Sequence, residues 1–306
     1  MTTVLAIDIG GTKISDCLIN EKGEIITPIE KYSTSNSADA IFFTLRNIID
    51  KHKSYDYVAI ATAGAVNIQN SKVIGSTANL PEGYKDIVFS KLCEKPVFIE
   101  NDANAAAWAE FRLGAAKGAE NAVIITLGTG VGGGVIINEK LFRGKSGTGA
   151  ELGHIKICAK RPRHCTCGSE NCYEAYASGT GLRKTLQEEA LNCSDFKNSI
   201  LFEKEVVNLT TYDLIEAIEK NDTFAKNVFD IWQEHIAQGL LSLNNVFDTD
   251  VFVLSGSMAA FVDCDYLQNY INQQSVTTQT FVRKACFDNN SGMIGAALLA
   301  IEKYEK

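Results

Sequence analysis

The run A-V-I-I-T-L-G-T-G-V-G-G-G-V-I-I, residues 122–137, decides the fold. An apolar stretch enters a glycine-rich turn in which Gly128, Gly130 and Gly133 satisfy G-x-G-x-x-G, the dinucleotide fingerprint. That fingerprint requires a helix to follow. V-I-I follows instead, and β-branched residues predict a second strand. A P-loop fails on spacing, because Gly144-Lys145-Ser146 resembles its end while its first glycine would fall on Glu139. The segment therefore reads as strand, glycine turn, strand, a flexible hairpin suited to wrapping a phosphate.

The N-terminus carries the same pattern. V-L-A-I-D-I predicts a strand, G-G-T-K a turn and I-S-D-C-L-I the returning strand, with a third short strand after a hairpin turn at Glu21-Lys22-Gly23. Setting Asp8 beside Leu127 puts the two hairpins 119 residues apart, which suggests a duplicated β-β-β-α unit. Two such halves facing each other would bring both glycine turns to one ligand. In D-I-G-G-T-K the plain reading is a turn whose glycines supply positive φ. The functional reading adds bare N–H groups for phosphate, with Thr12 and Lys13 as hydroxyl and cation, and Asp8 as a carboxylate for hydrated Mg²⁺.

Other elements fall around these hairpins. Residues 38–51 have helical spacing, with Ile41, Leu45, Ile48 and Ile49 on one side. Strand-like runs occupy 58–64 and 96–102, and a helix over 103–111 is capped by Asn101 or Asp102. A carboxylate at a helix N-terminus is also held ionised by the helix dipole, which suits a general base, although spacing alone favours the cap. Helices dominate 180–247, with an amphipathic face of Phe224, Val228, Ile231, Trp232, Ile236 and Leu240. A late strand is expected at 251–257 and a closing helix at 292–306.

Residues 155–175 show little periodicity and carry His154-x10-Cys165-x-Cys167-x4-Cys172 on their flank. Thiolates and an imidazole at this spacing fit tetrahedral Zn²⁺, and a loop with little apolar content needs such a staple. His164 and Cys158 are rival ligands. His52 and His235 lie in helical stretches and are expected at the surface.

Composition narrows the function. The 306 residues are 45% hydrophobic and 22% charged, an ordinary globular balance. Lys plus Arg number 29 against 37 Asp plus Glu, and the net charge of −8 offers no basic face for nucleic acid. The N-terminus lacks a basic n-region, and the longest uncharged stretch, 121–138, has too many central glycines for a membrane helix. A cytoplasmic protein with nine reduced cysteines is expected.

Together D-I-G-G-T-K, E-N-D-A-N-A-A-A-W-A-E, L-G-T-G-V-G-G-G, G-A-E-L-G-H, C-T-C-G-S-E-N-C-Y-E and the terminal G-M-I-G-A-A-L-L-A resemble the ROK family of sugar kinases and sugar-responsive repressors, in the right order over nearly the whole chain. The resemblance implies an α/β protein with two domains of the actin/hexokinase, ribonuclease H-like type and ligands in an interdomain cleft. The small domain is expected at 1–117 plus 292–306, and the large one at 118–291 with the zinc loop. It implies Asp102 as the base for a sugar 6-hydroxyl, and Asn79, Asn101, Glu151, His154 and Glu174 as sugar contacts. Asp8, Gly10, Gly11, Thr12 and Lys13 match the first phosphate loop, Thr129 and Gly130 the second, and Gly256 the adenosine-side turn. His154, Cys165, Cys167 and Cys172 match the zinc site.

The implied cofactors are ATP, Mg²⁺ and structural Zn²⁺. The implied partners are a small sugar, ATP and a second copy in a homodimer, with neither nucleic acid nor membrane. Two positions depart from the family pattern: Asn171 replaces a glycine, and the adenosine turn reads S-G-S. A repressor would need a DNA-binding domain ahead of the first loop, and seven residues precede Asp8. Glucose is the favoured substrate, because Glu151 to His154 and Glu174 resemble glucokinases. N-acetylmannosamine, fructose and N-acetylglucosamine are the alternatives, and a non-catalytic sugar sensor is a reading of a different class.

Overall fold

A computed structural model describes residues 2–75, 80–287 and 290–305. The chain forms two compact units: Met1–Ile124, Gly133–Ala150 and Ala285–Lys306 in the first, Ile125–Gly132 and Glu151–Lys284 in the second.

In the first unit β1 (Thr3–Ile9) is the central strand of a five-stranded sheet and is buried along nearly its whole length. A central strand covered on both faces reads as a continuous apolar run rather than an alternation. It pairs antiparallel with β2 (Lys13–Asn20), which pairs antiparallel with β3 (Glu30–Ser33). On its other side β1 runs parallel to β4 (Tyr57–Thr62), and β4 parallel to β5 (Val97–Asn101). Between β3 and β4, α1 (Ala38–Lys51) buries Ile41, Leu45, Ile48 and Ile49, the face that the spacing predicts. The expected third strand after Gly23 is displaced. Residues 24–27 contribute an isolated bridge, Ile19 to Ile25, and Thr27 Oγ1 accepts the Leu18 amide at 2.8 Å. Pro28 has no N–H to donate, so β3 begins beyond it.

Helix α2 (Asp102–Leu113) follows β5 directly. The second sheet has the order β10-β9-β6-β7-β8, with β6 at Ala122–Leu127, β7 at Val131–Ile137, β8 at Lys140–Leu141, β9 at Val251–Ser255 and β10 at Phe281–Lys284. Residues 122–137 are thus strand, turn, strand, and no dinucleotide helix follows.

The second unit also holds α3 (Glu174–Ala177), α4 (Gly179–Asn192), α5 (Thr211–Glu219), α6 (Thr223–Phe247) and α7 (Cys264–Gln274). Helix α6 buries Phe224, Val228, Trp232, Ile236 and Leu240, and Ile231 is half-buried. Its Gly239 lies so near Tyr173 that a Cβ would come within 2.3 Å of the ring. Among the described residues no helix is long and apolar enough to cross a membrane.

The closing helix, α8 (Ser291–Tyr304), returns to the first unit and packs on α2. Close approach needs bare backbone, and a Cβ on Gly295 would lie 1.7 Å from the Ala105 carbonyl oxygen. In an unhindered helix, glycine to alanine gains about 1 kcal/mol. Here Gly295→Ala is expected to lose about 1–3 kcal/mol by overpacking, read as a lower midpoint in urea denaturation. An unchanged or raised midpoint would contradict the α2–α8 packing.

Candidate functional site

Parallel strands β1, β4 and β5 end side by side, and open α/β sheets bind ligands beyond such carboxyl ends. Asp8 lies near the end of β1, in register with Ala61, and Asn101 ends β5 opposite Thr62. The alternative between Asn101 and Asp102 as cap is decided by hydrogen bonding. Asn101 is the N-cap: its Oδ1 accepts the Asn104 amide at 3.0 Å, and its Nδ2 donates to the Gly64 carbonyl at 3.1 Å. Asp102 is released from that duty. Its Oδ1 accepts only the adjacent Ala103 amide at 2.8 Å and the Asn101 Nδ2 at 3.2 Å.

The Asp102 carboxyl is reachable by solvent but set among protein mass. That burial pushes its pKa above the ordinary carboxylate value, against the Ala103 amide and the Asn101 side chain, which lower it. Burial, helped by the Asp102 charge and opposed by Lys13, likewise pushes Asp8 up to about 7. Gly292, at the start of α8, brings bare backbone to both acids: a Cβ there would stand 3.8 Å from Asp8 Oδ1 and 3.9 Å from the Asp102 carbonyl.

The first glycine turn corrects one expectation. Neither Gly10 nor Gly11 has a positive φ. The turn is closed by the Gly10 amide on the Lys13 carbonyl at 3.0 Å and by Thr34, whose Oγ1 donates to the Gly10 carbonyl at 2.7 Å. The glycines are therefore not needed for handedness. What they supply is uncovered backbone, with Gly11, Thr12 and Lys13 all exposed. Asn79 lies outside the described residues.

In the second unit the tip of the glycine hairpin is braced from three sides. The Gly179 amide donates to the Gly128 carbonyl at 2.8 Å, and Thr180 Oγ1 to the Thr129 carbonyl at 2.9 Å. The Met258 amide donates to the Leu127 carbonyl at 3.0 Å. Gly256, at φ +87°, lies so close that a Cβ would meet the Leu127 oxygen at 2.4 Å, so the S-G-S turn keeps its one indispensable glycine. On the third side Glu174 Oε2 accepts the Val131 amide at 2.9 Å, and a Cβ on Gly130 would fall 2.3 Å from that oxygen. Thr129, Gly130, Glu174 and Gly256 are thus brought together, and the Thr129 side chain stays exposed. The 3-10 turn Leu152–His154 joins them, because Gly153 has room only for hydrogen beside the Val131 carbonyl. Glu151 heads that turn and is exposed.

The cysteine loop folds as two short antiparallel bridges, Lys156 to Cys172 and His164 to Glu170. One donor atom each from His154, Cys165, Cys167 and Cys172 lie within 4.8 Å of one another. Cys167 and Cys172 sulfurs are 3.6 Å apart, and His154 Nδ1 is 3.9 Å from Cys165 Sγ. A tetrahedron with metal–sulfur bonds of about 2.3 Å has edges of about 3.8 Å, so the donors fit a zinc ion. The Ser169 amide beside Cys167 holds its thiol below the usual range, and Lys156 Nζ lies 3.1 Å from Cys172 Sγ. The first favours thiolate at Cys167. No disulfide competes for these sulfurs. The rival His164 is an exposed partner of Glu170 at 3.4 Å, and neither it nor Cys158 joins the group. Asn171, where the family pattern has glycine, sits at φ +59°, the left-handed region that asparagine tolerates best after glycine. Its Oδ1 accepts Tyr176 OH at 2.7 Å and the Arg163 amide at 3.2 Å, contacts glycine cannot make.

Sequence reasoning missed Arg163. It is buried, pairs with Glu188 through Nε and Nη2 at 3.1 and 2.7 Å, and donates to the Ala175 and Gly181 carbonyls. The loop is thereby bolted to α4. An arginine in R-P-R-H-C gives no sign of burial, because most arginines are solvated.

The ROK family profile matches residues 4–303. This chain belongs to the ROK family. The glucokinase of Streptomyces coelicolor is 33% identical over 99% of this chain and 98% of its own. The N-acetylmannosamine kinase of Yersinia pseudotuberculosis is 29% identical, covering 97% of each. A ROK glucokinase from Streptomyces griseus, solved with glucose and AMPPNP, superposes with a TM-score of 0.74 at 29% identity over 97% of this chain and 98% of that one. The shared fold is α/β of the actin/hexokinase-like type.

His235 departs from its expected place on the surface. It is half-buried against Tyr176, ring centroids 5.2 Å apart, and its Nδ1 has no partner among the described residues. Burial, then the Arg163 charge, lowers its pKa to about 4. A depressed histidine pKa means that the unfolded chain binds the proton first. Stability is then full above about 6.5 and falls by about 3 kcal/mol as pH drops toward 4. Denaturant titrations at pH 7 and pH 4.5 should show His235→Gln losing less than the wild type; equal losses would contradict the burial of a neutral ring.

Proposed function

We propose that this protein is an ATP-dependent hexose kinase that transfers the γ-phosphoryl group to a sugar 6-hydroxyl, with glucose as the substrate. The observation that carries the reading is Asp102, a carboxylate at the ends of the parallel strands, relieved of helix capping by Asn101 and raised in pKa by burial.

A sugar hydroxyl is a weak nucleophile, and a positioned base must take its proton as the bond to phosphorus forms. Asp102 fills that role, with a pKa moved toward the working pH. The proton passes from the 6-hydroxyl to its carboxylate while the Asn101 amide holds one of its oxygens. The exposed N–H groups of Gly11 and Thr12, with the Lys13 cation, receive phosphate oxygens in the first unit, and Gly10, whose own N–H closes the turn on the Lys13 carbonyl, keeps that backbone bare. Thr129 and Gly130 do so from the hairpin tip, and Gly256 keeps the adenosine-side turn. Asp8 is the carboxylate available for Mg²⁺, which when bound neutralises charge on the phosphates. Glu151, His154 through its Nε2, and Glu174 take the remaining sugar hydroxyls.

His154, Cys165, Cys167 and Cys172 would hold Zn²⁺ as a structural ion that fixes the loop preceding Glu174 and orients the His154 ring. Sugar and ATP are the partners, and a cytoplasmic homodimer is the assembly and location we assign.

A second reading, N-acetylmannosamine kinase, is favoured by the Yersinia relative. Glu151 supports glucose, since some N-acetylmannosamine kinases of this family carry histidine there. A coupled ADP-release assay comparing kcat/KM for glucose, mannose, fructose, N-acetylglucosamine and N-acetylmannosamine tests the proposal. Glucose should lead by at least about tenfold, the size of discrimination that one pocket contact gives. N-acetylmannosamine leading would replace the substrate, and no turnover of any sugar would remove the kinase reading.

Two variants probe the roles. Asp102→Asn should lose about 10²–10⁴-fold in kcat, the range ascribed to general acid–base catalysis, while glucose still binds in calorimetry. A near-normal kcat would sink the assignment. Cys167→Ser should reduce bound zinc from one equivalent per chain, measured by elemental analysis, and lower the thermal midpoint. Zinc content equal to that of the wild type would exclude this ligand set.

A further inference from the structure

Glu100 immediately precedes the N-cap of α2, and its side chain is 1% exposed. Five contacts from hydrogen-bond donors converge on its carboxylate. Oε1 accepts the Asn101 amide at 3.0 Å and Asn104 Nδ2 at 3.2 Å. Oε2 accepts Asn70 Nδ2 at 2.9 Å and both Nε and Nη2 of Arg143 at 2.7 Å. The acid thus grips the peptide that carries Asn101 and the asparagine at the third position of the helix. Asn101 holds an Asp102 oxygen through its Nδ2, and the Asn104 amide in turn holds the Asn101 side chain.

Arg143 makes the ion pair with Glu100, while Lys303 lies within electrostatic reach of both, and Arg143 opens the segment leading to Glu151. Its carbonyl accepts the Gly149 amide at 3.0 Å, which closes residues 143–149 into a tight loop. Inside that loop Gly144 and Gly147 take φ of +67° and +99°, and just beyond it Ala150, which has a Cβ, takes +65°. A strained residue of this kind persists only when its surroundings over-determine it. A buried ion pair is by itself weak evidence for stability, since well-packed apolar residues often serve as well. What it supplies is fixed geometry, here between one strand end and one loop.

We infer that Arg143, through Glu100, is a positioning pair for the catalytic carboxylate: it locks the start of α2, and with it Asp102, to the loop that enters Glu151. The inference rests on the kinase reading above for its effect on turnover, but not for the lock itself. The arginine also borders an open cavity of about 840 Å³ lined by Trp108, Arg112, Lys140, Leu141 and Glu302, and no residue of the Asp102 site lines it. A small cation can therefore reach the Glu100 carboxylate from that side once the arginine side chain is removed.

Chemical rescue tests this on the full-length protein. Arg143→Ala should lower kcat about 10²-fold, the cost of a small misplacement of reacting groups, while KM for glucose moves less than about threefold. Guanidinium, added far below denaturing concentrations, should restore about tenfold, and Arg143→Lys should fall between alanine and wild type. In parallel, hydrogen exchange of Arg143→Ala should quicken in residues 101–105 and 144–150 together and slow again with guanidinium. A kcat within about twofold of the wild type, a loss carried by KM alone, or a loss that guanidinium leaves untouched would overturn the positioning role. Faster exchange confined to 144–150 would overturn the lock. A wild type that turns over no sugar would count against the kinase reading, and the exchange data would still decide the lock.

Discussion

The hydrogen bond from the Asn104 amide to the Asn101 side chain, 3.0 Å long, is the contact on which the chemistry of the first unit depends. A helix start leaves backbone donors unpaired, and the nearest acceptor side chain is drawn to them. With two acceptors in sequence, only one is consumed. Because Asn101 is taken, Asp102 keeps an oxygen with no described partner at the ends of three parallel strands. Burial then raises its pKa, whereas the helix dipole alone would hold it low. In this balance burial wins, which is the direction a general base near neutral pH requires.

The second unit solves a different problem, how to hold irregular backbone in place. Hairpin tip 127–131 has no strand partner at its turn, so carbonyls and amides of three neighbouring segments clamp it. Close approach is allowed where Gly130, Gly153 and Gly256 offer no Cβ. The cysteine loop is held to α4 through Arg163 and Glu188, and His154, Cys165, Cys167 and Cys172 converge within it. Glu174 lies between the two devices, with one oxygen on Val131 and the other 3.9 Å from Cys165 Sγ. Cysteine loop and glycine turn are therefore mechanically linked through the Glu174 carboxylate.

Much of this was legible in the sequence, for identifiable reasons. Glycine hairpins advertise themselves because strand patterns flank them, and the α1 face follows from spacing alone. The convergence of His154 with Cys165, Cys167 and Cys172 was legible because thiols at short intervals in an otherwise polar loop have few other uses. What escaped notice depends on tertiary context. Arg163 and His235 carry residue types that are usually solvated, and only the packing of α4 and α6 buries them. β3 starts beyond Pro28, a boundary that the apolar pattern does not mark, and the glycines at 10 and 11 serve approach rather than turn handedness. Residue chemistry announced the Asn101-Asp102 pair, but the division of labour within it required hydrogen-bond geometry.

The central claim is that Asp102, left free of helix capping by Asn101, acts as the base. The pH dependence of kcat/KM for glucose, measured at saturating magnesium so that titration of Asp8 does not set the limb, tests it most directly. The account predicts activity lost toward acid through a single limb whose apparent pKa lies clearly above the ordinary aspartate value of about 3.9. A profile flat down to pH 4, or a limb at or below that value, would contradict it.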